Sequence, residues 1–415
     1  MPFLFSWRSL FYFGLMVVVV GFCWMGYSLI ANYGTQLYGW DYMSQYIEFY
    51  YHYWDVWHEF FKTGYFTMYD PSIYLGGDNI GCMSYYGLFD PFVFLNVLFP
   101  RSWVPQMTAI FTVLKATCSA FAMRAYLKYM GVRESTSRIG ALAYAFSGFV
   151  NFFVGFPSFV SAVVFIPLIL LGIEKVIKEK KIATLVWSLA LLGIVSFFFL
   201  VVMCVWGMIY ALWRFFWTIK QRKAKDSWAV LGLGVASFIL GLMLCSWSLL
   251  PSVRQSALSG RGQSIAYIYL QDLLDAFKTF DVKRVFARLF EMVGDHPGRE
   301  MIGIVSFFFP TCNYLWLPLY GGGASTGYDA WTSSLFIYTP MIIFFVFELI
   351  NNIRKRDWEH IISFILCSYC VFTIFAYFFS FAFTGDGYGR WYIILIPLLI
   401  RQACCGMDHR KEAPK

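Results

Sequence analysis

About ten stretches of this 415-residue chain are apolar over the roughly 20 residues that a helix needs to cross a bilayer. Inside hydrocarbon every backbone N–H and C=O must be bonded within the chain, and a helix does this by itself. That recurrence constrains the fold more than any motif. Composition agrees: 59% of residues are hydrophobic, and 13% are charged against about 25% in a soluble domain. The expected class is an all-α polytopic membrane protein, one bundle of about ten transmembrane helices with two long extracytoplasmic loops carrying interfacial helices. The net charge of +8 does not indicate nucleic acid, because the basic residues cluster in short turns between spans.

The spans are expected near residues 10–30, 106–128, 139–155, 158–175, 182–198, 199–216, 228–250, 335–352, 360–383 and 391–405. Arg133 and Arg138, Lys175 to Lys181, Arg214 to Lys225, and Arg354 to Arg356 follow even-numbered spans, while short turns after odd-numbered spans hold almost no basic residue. Both termini are therefore expected in the cytoplasm, with residues 31–105 and 251–334 outside, a membrane domain over 1–405 and a basic tail over 406–415. Residues 182–216 are read as two helices, because one kinked helix would break the alternation of charge. The first span has no basic cluster before it and no small-residue cleavage site after it, so it is read as an uncleaved helix.

Each outer loop has an apolar piece of its own. Residues 85–99 carry Pro91 inside and Pro100 just after, which fits an interfacial or re-entrant segment better than a crossing. From Leu270 to Met292 apolar residues recur at three and four, with Lys278, Lys283, Arg284 and Arg288 on the rest of the surface. That pattern fits an amphipathic helix on the outer leaflet, or equally one packed in a small outer domain.

Polar chemistry is concentrated from Gly39 to Glu59, GWDYMSQYIEFYYHYWDVWHE, directly past the first span. At helical spacing Asp41, Gln45, Glu48, His52, Asp55 and Glu59 share one face, and tyrosine and tryptophan take the other. Asp41 is the sharpest candidate: group transfer onto a hydroxyl needs a carboxylate within hydrogen-bond reach to take the proton. Its bland alternative is a helix cap. Tyr42, Tyr46, Tyr50, Tyr53 and Trp54 can stack on sugar faces or simply form an interfacial aromatic belt.

Further candidates lie in the glycine-rich turns. Asp78 and Asn79 close the GGDN turn from Gly76. Arg390, at the mouth of the last span against the charge trend, can grip a phosphate bidentately or serve as a snorkelling anchor. Arg261, in SGRG, is a weaker candidate of the same kind. There is no HExxH or DxD motif, and His52 and His58 are six apart, so no metal and no cofactor are expected. Cys82 and Cys312 are the two cysteines of the outer loops and the one pair a disulfide there could join.

GWDYMSQYIEFY, then GYFTMYDPSIYLGGDN, then YYGLFDPFVFLNVLFP resemble the outer loop of the bacterial YfhO family, and the likeness extends loosely to Pro251–Arg261 and Arg390–Trp391. The resemblance implies a GT-C-like bundle and transfer of a sugar from undecaprenyl phosphate to a cell-envelope glycopolymer such as teichoic acid. It implies a catalytic acid in the first outer loop, where the matching position is Asp41. The candidate binding residues, taken from the polar face and the turns, are Gln45, Tyr46, Glu48, His52, Asp78, Asn79, Arg261 and Arg390. The partners implied are a polyprenyl-phosphate-linked sugar, the acceptor and membrane lipids. Family members usually run longer, with an outer C-terminal domain, whereas this chain stops at Lys415 after a short basic tail.

Two other classes fit many spans and interfacial acids: a flippase or exporter of lipid-linked sugars, and a non-catalytic scaffold for envelope assembly. Against transport, few charges fall mid-span, Lys115 and Arg124 being the exceptions.

Overall fold

The computed structural model describes residues 7–31, 42–73, 76–219, 224–258, 265–289, 336–358, 361–362, 365 and 390–412. These residues are nearly all helical. The axis of the bundle is α8 (Pro157–Glu179), which is apolar all round from Ala162 to Ile173 and packs on α5 (Val104–Tyr129) and α9 (Ala183–Val195). Of its most apolar stretch 89% is buried, against 22% in α1 (Trp7–Ala31) and in α11 (Ala224–Leu258). Those two helices therefore form the periphery and turn Phe11, Tyr12, Val19, Trp228, Ile239 and Met243 outward. Between α8 and α9 the backbones nearly touch at Gly172, where a Cβ would lie 2.6 Å from Leu185 Cα. Small residues at such crossings are how helices gain contact where burial from water supplies no drive.

Among the described residues six helices are long and apolar enough to cross a membrane: Trp7–Gly26, Arg101–Tyr129, Glu134–Gly155, Pro157–Glu179, Phe197–Thr218 and Asp226–Gln255. The other four expected spans differ. The fifth is the 13-residue α9, and the eighth is α14 (Thr339–Lys355). The tenth divides into a 3-10 turn (Arg390–Ile394) and α15 (Ile396–Glu412), while the ninth falls largely outside the described residues.

Residues 182–216 are two helices, broken at Ser196 before α10 (Phe197–Ile219). Leu185, near the start of α9, lies against Gly172 in the second half of α8. Phe198 and Phe199, at the start of α10, pack on Phe159 near the start of α8. Arg214, near the end of α10, reaches back to Glu174 near the end of α8. The pair is thus a hairpin, and Arg214 is buried inside its helix, away from the basic turn that follows.

The third span, expected unbroken over 139–155, is interrupted. It runs as α6 (Glu134–Ala145), a break at Phe146–Ser147, and α7 (Gly148–Phe152). The segment leading into α14 satisfies groups freed there: Gly148 N donates to Phe336 O at 2.7 Å, and the Tyr338 hydroxyl donates to Phe146 O. Asn151 Nδ2 adds a bond to Phe146 O at 2.8 Å. A break at membrane depth survives only with such partners.

The second-loop helix is also divided. In place of one helix over 270–292 there are α12 (Ile265–Lys278) and α13 (Val282–Leu289), because Asp281 starts a new helix by accepting Arg284 N at 3.0 Å.

At the end of the bundle that carries the basic turns, Arg124 donates to Glu134 at 2.6 Å, and Arg138 does so at 2.9 Å. Asp408 of α15 accepts from Arg133 N at 2.9 Å and Thr136 Oγ1 at 2.6 Å, capping α6 from a remote helix. His409 Nδ1 meets the buried Glu348 at 2.9 Å and ties α15 to α14.

Candidate active site

The opposite end is built from the first loop. Residues Tyr42–Tyr46 form a π turn that leads into α2 (Ile47–Thr63), a rare geometry often found at functional sites. Tyr42, Tyr46, Tyr50, Tyr53 and Val56 are buried along one side. Glu48, Asp55 and Glu59 are exposed on the other, while Gln45 and His52 are half-buried on the flanks. The expected polar face is therefore present in part, because the π turn advances by more residues than an α turn and shifts its phase. α2 stops at Gly64, whose φ of +72° suits glycine at a helix end.

A small hairpin follows. β1 (Tyr69–Asp70) pairs antiparallel with β2 (Gly77–Asp78), with Tyr69 opposite Asp78. Asp78 then caps α3 (Asn79–Met83), accepting Ile80 N at 3.1 Å and Gly81 N at 3.0 Å. Asn79 is wholly buried and orders the corner. Its Nδ2 donates to Thr67 O at 3.0 Å, which turns its Oδ1 toward His52 Nε2, also at 3.0 Å. His52 Nε2 must then be the donor, leaving Nδ1 facing Asp70 at 3.7 Å. Hydrogen bonds from Ser72 hold the Asp70 carboxyl below the usual range.

The remaining polar residues of α2 tether the loop. Arg101 grips Asp55 with two bonds of 2.8 and 2.9 Å, its guanidinium 4.7 Å from the Tyr51 ring centre. Thr67 Oγ1 donates to Glu59 at 3.3 Å. The last turns of α11 close the far side: a Cβ at Gly81 would meet the Pro251 carbonyl at 3.2 Å. At 35 residues, α11 is about 52 Å long at 1.5 Å per residue, so it reaches past a hydrocarbon layer of roughly 30 Å.

Residues 85–99 do not cross the bundle. They are short turns around α4 (Pro91–Phe94), in keeping with the interfacial or re-entrant expectation. Asp90 caps α4, accepting Phe92 N at 2.9 Å. Its second oxygen accepts from Ser161 Oγ of α8 and lies 3.9 Å from Lys115 Nζ of α5. Lys115 also donates to Pro157 O at 3.0 Å. Asp90 is fully enclosed and Lys115 is 1% exposed, so this is a pair buried away from water. Burial pushes the Asp90 carboxyl up, against the opposing pull of Lys115 and Ser161. Beside it, Tyr46 bonds Ser158 at 2.9 Å and Tyr50 is buried facing Asp90.

The loop is thus a rigid platform pinned to α5, α8 and α11. Two of the expected binding residues, His52 and Asn79, are committed to holding it together, and Asp78 is committed to a helix cap. Tyr46 faces α8, while Glu48 and Gln45 keep accessible surface. Asp41, immediately before the π turn, and Arg261 lie outside the described residues, as does the Arg390 side chain. Cys82 is a free thiol, and Cys312 also lies outside. Among the described residues no three His, Cys, Asp or Glu side chains converge as metal ligands would. Asp90 escaped the sequence analysis, although two signals pointed to it: an Asp-Pro pair typical of a helix start, and a lysine mid-span in need of an anion.

A family model described as bacterial membrane protein YfhO matches residues 11–353. No curated protein and no solved structure matches the chain.

Proposed function

Since the chain belongs to the YfhO family of bacterial membrane proteins, we propose that it is a GT-C-type glycosyltransferase of the plasma membrane. It moves a sugar from a polyprenyl-phosphate donor to a cell-envelope acceptor such as teichoic acid, with Asp41 as general base on the outer face. The observation that carries this reading is the platform itself. A loop pinned by a buried ion pair, a bidentate Arg–Asp clamp and a helix cap follows directly after Asp41. Fixed geometry of that kind is what transfer between two bound partners needs, and orientation is worth about 7–11 kcal/mol at best. The lipid tail would lie along the bundle, so only the phosphate and sugar need be gripped, and Arg390, Arg261, Gln45 and Glu48 are the residues proposed to do so.

In this reading the first loop faces outward and both termini are cytoplasmic. A cysteine introduced at Tyr69, exposed on the hairpin, should react with an impermeant maleimide in intact cells; reaction only after permeabilisation reverses the orientation. The phosphate role of Arg390 has its own test. Arg390→Lys keeps the charge but loses the forked donor pair, so purified protein should transfer sugar far more slowly. Normal turnover would make Arg390 an interfacial anchor.

A flippase or exporter is the second reading, favoured by ionisable residues within helices, Lys115 and Glu174 among them. Both are held in pairs, by Asp90 and by Arg214 respectively. Transport paths need groups that can exchange partners.

A further inference from the structure

Away from the platform, near the basic end, α5, α8, α10 and α15 enclose a second charged cluster. Glu174 of α8 is fully buried at its centre. Its Oε1 accepts Arg214 Nε at 2.6 Å and the Tyr210 hydroxyl at 2.8 Å. Its Oε2 accepts Arg214 Nη2 at 3.2 Å and lies 3.1 Å from Lys178 Nζ. A carboxylate has about four lone-pair positions, so Glu174 is saturated.

Arg401 of α15 faces the same cluster, within electrostatic reach of Tyr126, Tyr210, Cys405 and Glu174. Its Nε is buried and has no hydrogen-bond partner among the described residues. Trp206, stacked on Tyr210 at 5.7 Å, likewise buries an unpartnered indole N–H. Both are donors that can only be satisfied by an acceptor. Arg214, Lys178 and Arg401 all act on Glu174, the carboxylate at the centre of the cluster. A buried N–H without an acceptor is costly, so an acceptor belongs at the Arg401 Nε. The depth is set by Gly140 of α6, which lies against both Leu127, near the end of α5, and Ile400, the neighbour of Arg401. That places the group close to the basic face of the bundle, with Lys178 half-exposed at its rim.

We propose that Arg401, with Lys178 at the rim, binds an oxyanion of the phosphate class at the basic end of the bundle. The ion is carried either by an anionic lipid headgroup or free in solution. The site is separate from the platform and does not depend on the transferase reading. Guanidinium donors and an indole N–H match phosphate oxygens.

The test uses full-length protein in phosphatidylcholine nanodiscs, and reads the melting temperature. Inorganic phosphate is titrated against chloride of equal ionic strength; in a second arm phosphatidylglycerol replaces part of the lipid. At ligand about tenfold above Kd, a rise of about 2–4 °C is expected in wild type. Arg401→Gln should lose that rise, and Arg401→Lys should keep part of it. A rise with phosphate in neutral lipid identifies a free ion, and a rise only with phosphatidylglycerol identifies a headgroup. No rise in wild type in either arm overturns the proposal, even if the variants fail to fold. An equal rise in wild type and Arg401→Gln also overturns it, because the anion then binds elsewhere.

Discussion

Asp41→Asn is expected to bind a polyprenyl-phosphate sugar donor as wild type does and to transfer the sugar about 10²–10⁴-fold more slowly. The substitution keeps the size of the side chain and most of its hydrogen bonding, and removes only the ability to take a proton. Donor binding and transfer must therefore be measured separately, by retention of labelled donor and by single-turnover transfer. Glu48 is the rival among the acids of the same segment, since it is exposed, whereas Asp55 is held by Arg101 and Glu59 accepts from Thr67. Collapse of transfer in Glu48→Gln, with Asp41→Asn normal, moves the base seven residues along the chain and leaves the enzyme reading intact. Normal transfer in both variants, or no donor binding by any form, favours the transporter or the scaffold.

Lys115→Met is expected to cost about 3–5 kcal/mol of stability, because it leaves the Asp90 carboxyl enclosed without its cation. Asp90→Asn made together with it should restore most of the loss. Asparagine is a good helix cap for α4 and can still meet Ser161, so the pair is replaced by neutral groups of similar shape. Thermal melting of the four forms gives the coupling between the two residues, expected to be well above the scatter of about 0.5 kcal/mol seen for independent sites. Transfer should fall in Lys115→Met and recover in the double variant, because the pair positions the platform without touching substrate. If Lys115→Met melts like wild type, Ser161 and the Phe92 N–H suffice to hold Asp90, and the pair is not what pins the loop.

Much of the architecture was legible in advance because membrane insertion acts on local sequence. Hydropathy located the long helices, and the hairpin of α9 and α10 followed from the alternation of basic turns. Prolines marked residues 85–99 as a segment that turns back. The errors share one cause. The breaks at Phe146–Ser147 and at Asp281 and the π turn before α2 leave no mark on average hydropathy. Each depends on which backbone groups find partners elsewhere, as Gly148 does with Phe336.

For the candidate site the division is sharper. Sequence pattern alone singled out the polar stretch after the first span and its ordered motifs, since few polar residues interrupt so apolar a chain. Which of those residues remain available was decided by tertiary contacts. Asn79 is turned inward by Thr67 and His52, Asp55 is clamped by Arg101, and Asp90 is buried against Lys115. The physical reason is that a polar group's role depends on its nearest partners in space. In a helical bundle those partners lie tens of residues away in the chain: Arg214 stands beside a basic turn in sequence, yet it is the main partner of Glu174.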